Sequence, residues 1–120
     1  MVRIMLVDAQ PQVRRGLRMS LAVEADFTVV GEAEDGHAAL TLASSLYPDV
    51  VIMDVALPGI DALAVTTTLA TEAPRCAVII LSIHDDVHTQ ERAYAAGAAA
   101  FVSKRESPQR LTAAIRQVMW

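Results

Sequence analysis

The sequence predicts a doubly wound α/β domain in which helices cover both faces of a five-stranded parallel sheet. Five short apolar runs predict the strands, at residues 2–7, 27–30, 50–53, 78–81 and 99–102. These runs are almost continuously apolar and do not alternate with polar residues, so both faces of each strand must be buried. At 120 residues the chain is long enough for one such domain and too short for two.

The segments between the strands carry the periodicity of amphipathic helices. The periodic apolar positions are Val13, Leu17 and Leu21; Ala39, Leu42, Ala43 and Leu46; and Leu111, Ala114, Ile115 and Val118. Residues 61–71 and 87–96 complete a set of five helices. Pro11 and Pro108 suit helix starts, Pro48 suits a helix end, and Pro58-Gly59 suits a turn.

The composition argues against membrane insertion and against direct nucleic-acid binding. The chain is 53% hydrophobic with a mean hydropathy of +0.36, yet no apolar run approaches the roughly 20 residues of a membrane helix. The first ten residues do not make a signal peptide, so we expect a cytoplasmic protein. The net charge is −4. Arg14, Arg15 and Arg18 share one helical face without aromatic neighbours, which we expect to be solvated, with an acidic partner surface as the alternative.

Cysteine and histidine residues do not complete a metal site. Cys76 is the only cysteine, which excludes an internal disulfide, and its apolar neighbours predict a buried strand thiol of low reactivity. His84 and His88 lie four residues apart, but no acid or cysteine pattern completes a zinc set. We expect both to be solvated at a helix start, with Asp85 or Asp86 as the N-cap.

Polar residues follow four of the predicted strands. Asp8, Asp54 and Ser82 end the first, third and fourth strands, and Lys104, the only lysine, follows the fifth. In open α/β sheets ligands bind beyond the carboxyl ends of the strands, where the strand order reverses. Two acids, one hydroxyl and one ammonium group should therefore converge at one edge of the sheet.

The residues around these positions resemble one family over nearly the whole chain. The matching segments are LVD at 6–8, VIMD at 51–54 followed by LPGID at 57–61, IILS at 79–82 and AGAAAFVSK at 96–104. They resemble the receiver domain of bacterial two-component response regulators, and residues 11–17, 82–86 and 114–116 are most similar to the NarL/FixJ (LuxR-type) subfamily. The resemblance implies a (βα)5 flavodoxin-like receiver fold with strand order 2-1-3-4-5, filling residues 1–120.

The resemblance also implies a role for each residue at the strand ends. Asp54 would be the phosphoacceptor, and Mg²⁺ would be held by Asp54, by the backbone carbonyl of Ala56 and, through water, by Asp8. Lys104 would neutralise the phosphoryl charge, and the Ser82 hydroxyl would bind a phosphoryl oxygen.

Phe101 is implied to transmit the change made at Ser82. Movement of the loop that carries Ser82 would free space for the Phe101 ring to turn inward, which alters the surface of helix four, strand five and helix five.

The partners implied by the resemblance are a sensor histidine kinase, a second copy of the chain in a homodimer, and a DNA-binding helix-turn-helix output domain that controls transcription. The receiver would not be an enzyme beyond catalysing phosphoryl transfer to its own Asp54. A terminal Trp120 is costly to expose, so we expect the output domain to lie outside this chain.

One position departs from the family pattern. The family usually has two adjacent acids after the first strand, the second a direct metal ligand, whereas this chain has Asp8-Ala9-Gln10. A carboxylate about 4 Å from a cation contributes a few kcal/mol at moderate dielectric, so we expect a weakened Mg²⁺ site. Two hypotheses follow: a receiver that is still phosphorylated, with Gln10 or water supplying an oxygen, or an atypical receiver that works as an interaction or ligand-responsive module without phosphate.

An enzyme of another class on a similar sheet is disfavoured. A small phosphatase would need a second acid two residues after the nucleophile, where Asp54-Val55-Ala56 has alanine. A nucleotide-binding enzyme would need a glycine-rich phosphate loop, which the five glycines of the chain do not form.

Overall fold

The computed structural model describes residues 1–119, in which five strands and five helices alternate. The strands are β1 Val2–Val7, β2 Phe27–Ala33, β3 Val50–Asp54, β4 Ala77–Ser82 and β5 Ala100–Ser103. The helices are α1 Pro11–Leu21, α2 Gly36–Leu46, α3 Ala62–Glu72, α4 Val87–Ala95 and α5 Pro108–Met119. Trp120, on which we based the expectation of a continuing chain, lies outside the described residues.

All five strands are parallel, in the order β2-β1-β3-β4-β5, which confirms the predicted fold class and strand order. The main difference from the prediction is β2, which continues to Ala33 instead of ending at residue 30. A register shift between Ile4 and Met5 lets Gly31, Glu32 and Ala33 pair with the second half of β1.

The two faces of the sheet bury separate apolar clusters. Along β3, Val51 and Met53 pack with residues of α2, α3 and α4. Val50 and Ile52 point to the other face and pack with residues of α1 and α5. This alternation of buried side chains is what the continuously apolar strands predicted. Each such side chain contributes about 1.5–3 kcal/mol on burial.

Local sequence signals fix the helix starts. Pro11 and Pro108 are the first residues of α1 and α5, as predicted. Asp86 is the N-cap of α4 and accepts hydrogen bonds from the hydroxyl and the backbone N–H of Thr89, at 2.8 and 3.1 Å. These bonds hold the pKa of Asp86 below its ordinary value. None of the helices within residues 1–119 is both long enough and apolar enough to cross a membrane.

Arg116 of α5 forms ion pairs at the end of the sheet where the strands begin. Its guanidinium lies 2.6 Å from Asp26 Oδ2 and 2.7 Å from Glu24 Oε1, just before β2. It also stacks over the Phe27 ring, 4.7 Å from the centroid. The hydrogen bond from Arg116 lowers the pKa of Asp26. These contacts hold the last helix against the start of β2, the outermost strand on the side away from β5. They lie far from the carboxyl ends of the strands.

Cys76 lies immediately before β4 and is buried, as its apolar neighbours predicted. Burial, with a smaller contribution from the charge of Asp49, raises the pKa of its thiol from 9.0 to about 11. A thiol that stays protonated at neutral pH is a poor nucleophile, so Cys76 is a packing residue.

We expect the raised pKa of Cys76 to lower stability at alkaline pH. Between pH 9 and pH 11 the unfolded chain releases the thiol proton while the folded chain retains it, so deprotonation favours unfolding. A pKa difference of this size corresponds to on the order of 2 kcal/mol. Urea unfolding across this pH range should show that loss in the wild type beyond the loss in Cys76→Ala; parallel curves for the two proteins would contradict the assignment.

Candidate functional site

The carboxyl ends of the strands bring the predicted site residues to one edge. Asp8 follows the last residue of β1, Asp54 ends β3, and the two strands pair through Val7 and Met53. Ser82 ends β4 and Lys104 follows β5, and their backbones meet where Lys104 N–H donates to the Ser82 carbonyl at 2.8 Å. The parallel register therefore places all four residues on the same side of the sheet.

Lys104 lies between the two acids. Its Nζ is 3.2 Å from Asp8 Oδ2 and 3.3 Å from Asp54 Oδ2. The Asp8 side chain is 2% exposed and the Asp54 side chain 13% exposed. One ammonium group thus compensates two carboxylates that have little access to water. Asp54 is the more accessible of the two acids.

The second oxygen of each carboxylate is held by a backbone amide. Asp8 Oδ1 accepts from Gln10 N–H at 2.9 Å, and Asp54 Oδ1 accepts from Ala56 N–H at 3.2 Å. Each carboxylate therefore directs one oxygen to its own turn and the other to Lys104. The two carboxylates are held in the same way, so both side chains are oriented before any ligand binds.

Ser82 is fully buried at the end of β4, and its hydroxyl oxygen accepts from His84 N–H at 2.9 Å. A hydroxyl that accepts one bond can still donate its own proton elsewhere. Within the described part of the chain, no hydrogen bond joins this hydroxyl to Asp54 or to the Lys104 ammonium. Ser82 thus lies at the same end of the sheet as Asp8, Asp54 and Lys104, and its oxygen is hydrogen-bonded to the loop that follows β4.

The Phe101 ring is 8% exposed and belongs to the apolar cluster on the α2, α3 and α4 face. It pairs in register with Ile80, two residues before Ser82. Phe101 is therefore buried in a cluster that also contains Ala93 of α4.

Ala9 and Gln10 are exposed beside the pocket. Gln10 is the N-cap residue of α1, but its side chain makes no capping hydrogen bond. Among residues 1–119 no group of three or more His, Cys, Asp or Glu side chains could hold a metal ion. The pocket has two acids instead of the usual three, because the residue after Asp8 is Ala9.

His84 and His88 are both exposed at the start of α4, in agreement with the prediction. They remain outside the acid pocket, apart from the backbone contact of His84 with Ser82.

The expectation of a solvated arginine face on α1 is wrong for Arg14, and it holds for Arg18, which pairs with Glu32 but stays exposed. Arg14 Nε lies 3.0 Å from Glu32 Oε1, its Nη1 donates to the Asp8 backbone carbonyl at 2.5 Å, and its side chain is 16% exposed. Arg18 also pairs with Glu32 but is 47% exposed. Arg15 is exposed as expected. The physical reason is that Glu32 faces α1 and attracts both guanidinium groups.

Arg14 and Glu32 are thus site residues that the sequence patterns did not reveal. Because partners in a parallel sheet share a face, Glu32 faces α1 with its partner Leu6. Without the register shift between β1 and β2, Glu32 would pair with Val7 and face the α2 and α3 side. The one available signal was a lone acid at the end of an apolar strand.

The doubly wound sheet and its acid–lysine pocket define the class of receiver-type α/β domains. A profile of the family described as response regulator receiver domain matches residues 4–116. The chain belongs to this family, which confirms the resemblance seen in the sequence.

The relatives place the chain in the NarL/LuxR branch. It is 36% identical over 118 residues to the response regulator GacA of Pseudomonas aeruginosa, covering 98% of this chain and 55% of that protein. The signal receiver domain of the response regulator NarL from Mycobacterium tuberculosis superposes with a TM-score of 0.91 at 32% identity, over 97% of this chain and 94% of that one. A LuxR-family regulator from Aurantimonas sp. SI85-9A1 gives 0.91 at 33% identity, over 99% and 85%. The chain spans about half the length of the curated relatives it matches.

We expect Lys104→Met to destabilise the domain by about 1–3 kcal/mol at pH 7, because Asp8 and Asp54 would face each other without their cation. Arg110→Met is the matched control, since the Arg110–Glu106 pair is 47% and 42% exposed and should contribute less than about 0.5 kcal/mol. Urea unfolding measures both changes. Equal, small losses in the two variants would refute the role of Lys104 in holding the pocket.

Proposed function

We propose that this chain is the phosphoacceptor receiver domain of a two-component response regulator and that Asp54 takes the phosphoryl group. The observation that carries the proposal is the pocket in which Asp54 and Asp8 share the Lys104 ammonium, at 3.3 and 3.2 Å. Phosphoryl transfer needs a positioned nucleophile and cations more than it needs covalent assistance. Asp54 is the more exposed acid, which supports its role as the one that meets the donor.

In the proposed reaction an Asp54 carboxylate oxygen attacks the phosphorus of a phosphohistidine on a sensor kinase or of a small acyl phosphate. The bond from phosphorus to the donor nitrogen or oxygen breaks, and the leaving group keeps the bonding electrons. The product is an acyl phosphate on Asp54. Lys104 neutralises the added charge, and the buried Ser82 hydroxyl donates to a phosphoryl oxygen while it still accepts from His84 N–H.

The residues present fit a Mg²⁺ ion. Magnesium takes oxygen ligands, commonly one or two carboxylates together with phosphate oxygens and several waters. Asp8 and Asp54 already direct one oxygen each to a shared cation. Asp54 and the Ala56 backbone carbonyl would hold the ion directly, and Asp8 would hold it through water. Bound there, the ion would neutralise phosphoryl charge. Because Ala9 removes the usual third acid, the proposal includes weakened metal binding.

The proposed output is the surface of α4, β5 and α5. Ser82 ends the strand that pairs with β5, and the buried Phe101 lies on β5 beneath α4. Ile83, Val87 and Tyr94 are exposed apolar side chains on or just before α4, which supports a contact surface there. We propose that this surface forms a homodimer or meets a DNA-binding output domain in a longer protein of the cytoplasm, and so controls transcription.

Incubation with acetyl phosphate and excess Mg²⁺ should add one phosphoryl group to the wild type. Asp54→Asn should show no adduct, because the amide lacks the nucleophilic carboxylate. Intact mass spectrometry measures both, with thermal unfolding as the check that the variant is folded. An adduct on Asp54→Asn, or none on the wild type at any Mg²⁺ concentration, would contradict the proposal.

Ala9→Asp should tighten Mg²⁺ binding by about ten-fold or more, since a restored carboxylate next to the ion contributes a few kcal/mol before desolvation. Ala9→Asn is the matched control: it adds the same bulk without charge and should change the affinity by less than about three-fold. Isothermal titration with MgCl₂ compares the three proteins. If Ala9→Asp binds the ion no better than Ala9→Asn, the assigned cause of the weakened site is wrong.

A further inference from the structure

We infer that Arg14 is a positioning residue for Asp8, which it holds through the backbone instead of through the carboxylate. The inference rests on the proposed function, since it assigns Arg14 a part in preparing the pocket for its cation and for phosphoryl transfer. Its basis is the hydrogen bond from Arg14 to the Asp8 carbonyl, next to Ala9, where the family usually has an acid.

Both the N–H and the carbonyl group of Asp8 are hydrogen-bonded. Asp8 N–H donates to the Ala33 carbonyl of β2 at 3.1 Å, and the Asp8 carbonyl accepts from Arg14 Nη1 at 2.5 Å. The first bond belongs to the sheet. The second is made by a charged donor that reaches back from the first turn of α1, and such bonds are roughly twice as strong as neutral ones.

These backbone bonds determine where the Asp8 carboxylate points. Oδ1 accepts from Gln10 N–H and Oδ2 lies 3.2 Å from Lys104 Nζ. Both contacts require a particular orientation of the peptide between Asp8 and Ala9. Ala9 is exposed and has no polar side chain with which to hold this turn. Besides the bond from Gln10 N–H, it is Arg14 that restrains this peptide through the Asp8 carbonyl.

Glu32 holds the Arg14 guanidinium in place. Its Oε1 is 3.0 Å from Arg14 Nε, so one planar group binds a carboxylate at one nitrogen and the Asp8 carbonyl at another. A lysine has a single ammonium group and cannot reproduce this two-sided geometry. The register shift between β1 and β2 that turns Glu32 toward α1 is therefore part of the arrangement.

Arg18 provides a matched control within the same cluster. It shares Glu32 with Arg14, but among the described contacts it does not reach Asp8. Arg14→Met and Arg18→Met remove the same charge from the same helix, and they differ in whether the Asp8 carbonyl loses its donor. A merely electrostatic effect on the pocket should appear in both variants.

The first measurement is amide hydrogen exchange of Gln10, whose N–H is bound to Asp8 Oδ1. Exchange at Gln10 should be about ten-fold faster in Arg14→Met than in the wild type, which equals about 1.4 kcal/mol of lost protection. Arg18→Met should leave it within about two-fold. This measurement needs neither metal nor phosphate, so it tests the inference even if the domain takes up no phosphoryl group.

The second measurement is the Mg²⁺ concentration that gives half-maximal phosphorylation by acetyl phosphate. Loss of a residue that orients a metal ligand commonly weakens binding 10–100-fold, and we expect about ten-fold for Arg14→Met with little change for Arg18→Met. Arg14→Lys should lie between the wild type and Arg14→Met. If Arg14→Met does not fold, Arg14→Lys carries both tests.

Equal behaviour of the Arg14 and Arg18 variants in both measurements would overturn the inference. If the wild type accepts no phosphoryl group, the proposed function fails, while faster exchange at Gln10 in Arg14→Met alone still supports the positioning role. If the wild type is phosphorylated but exchange at Gln10 is unchanged in Arg14→Met, the proposed function is supported and the positioning role of Arg14 is refuted.

Discussion

The pocket depends on one requirement: the Asp8 carboxylate, 2% exposed, must be compensated by a cation because burial of an unpaired charge is very costly. The compensating group is Lys104, 96 positions later in the sequence. Lys104 reaches Asp8 only when β5 has docked beside β4 and β3 has docked beside β1. The ion pair therefore forms with the completed sheet, and the acid pocket exists only in the fully folded domain.

The continuous burial of the strands explains why the chemistry lies at one edge. Apolar side chains from β1, β3 and β4 fill both faces of the sheet, and before their carboxyl ends these three strands carry one polar residue, Arg3. The carboxyl ends are the first positions where side chains meet both water and one another. At the opposite edge the Arg116 cluster secures α5 to the start of β2. The ion cluster that secures α5 and the acid–lysine pocket therefore lie at opposite ends of the strands.

The family resemblance implied the strand order. Local sequence patterns predicted the fold class and the convergence of Asp8, Asp54, Ser82 and Lys104, because buried parallel strands leave a continuous apolar signal. They did not predict the Arg14–Glu32 pair. Helical periodicity marks Arg14 as outward, and its actual contact depends on a one-residue register shift that no local pattern records. The burial of Phe101 is likewise set by tertiary packing, whereas the bond to the Ser82 oxygen comes from the backbone two residues later. Pairings between distant residues account for most of what the sequence left open.

Ala9 changes the charge balance of the whole edge. Asp8, Asp54 and Lys104 have a formal net charge of −1, while Arg14, Arg18 and Glu32 beside them have +1, so the chain's own residues neutralise this region. A second acid at position 9 would create an excess negative charge that a divalent cation could meet. In this chain that excess would arise only when a phosphoryl group is added to Asp54. Under the proposed function, Lys104, the only lysine, would carry a larger share of the charge compensation than it would beside a third carboxylate.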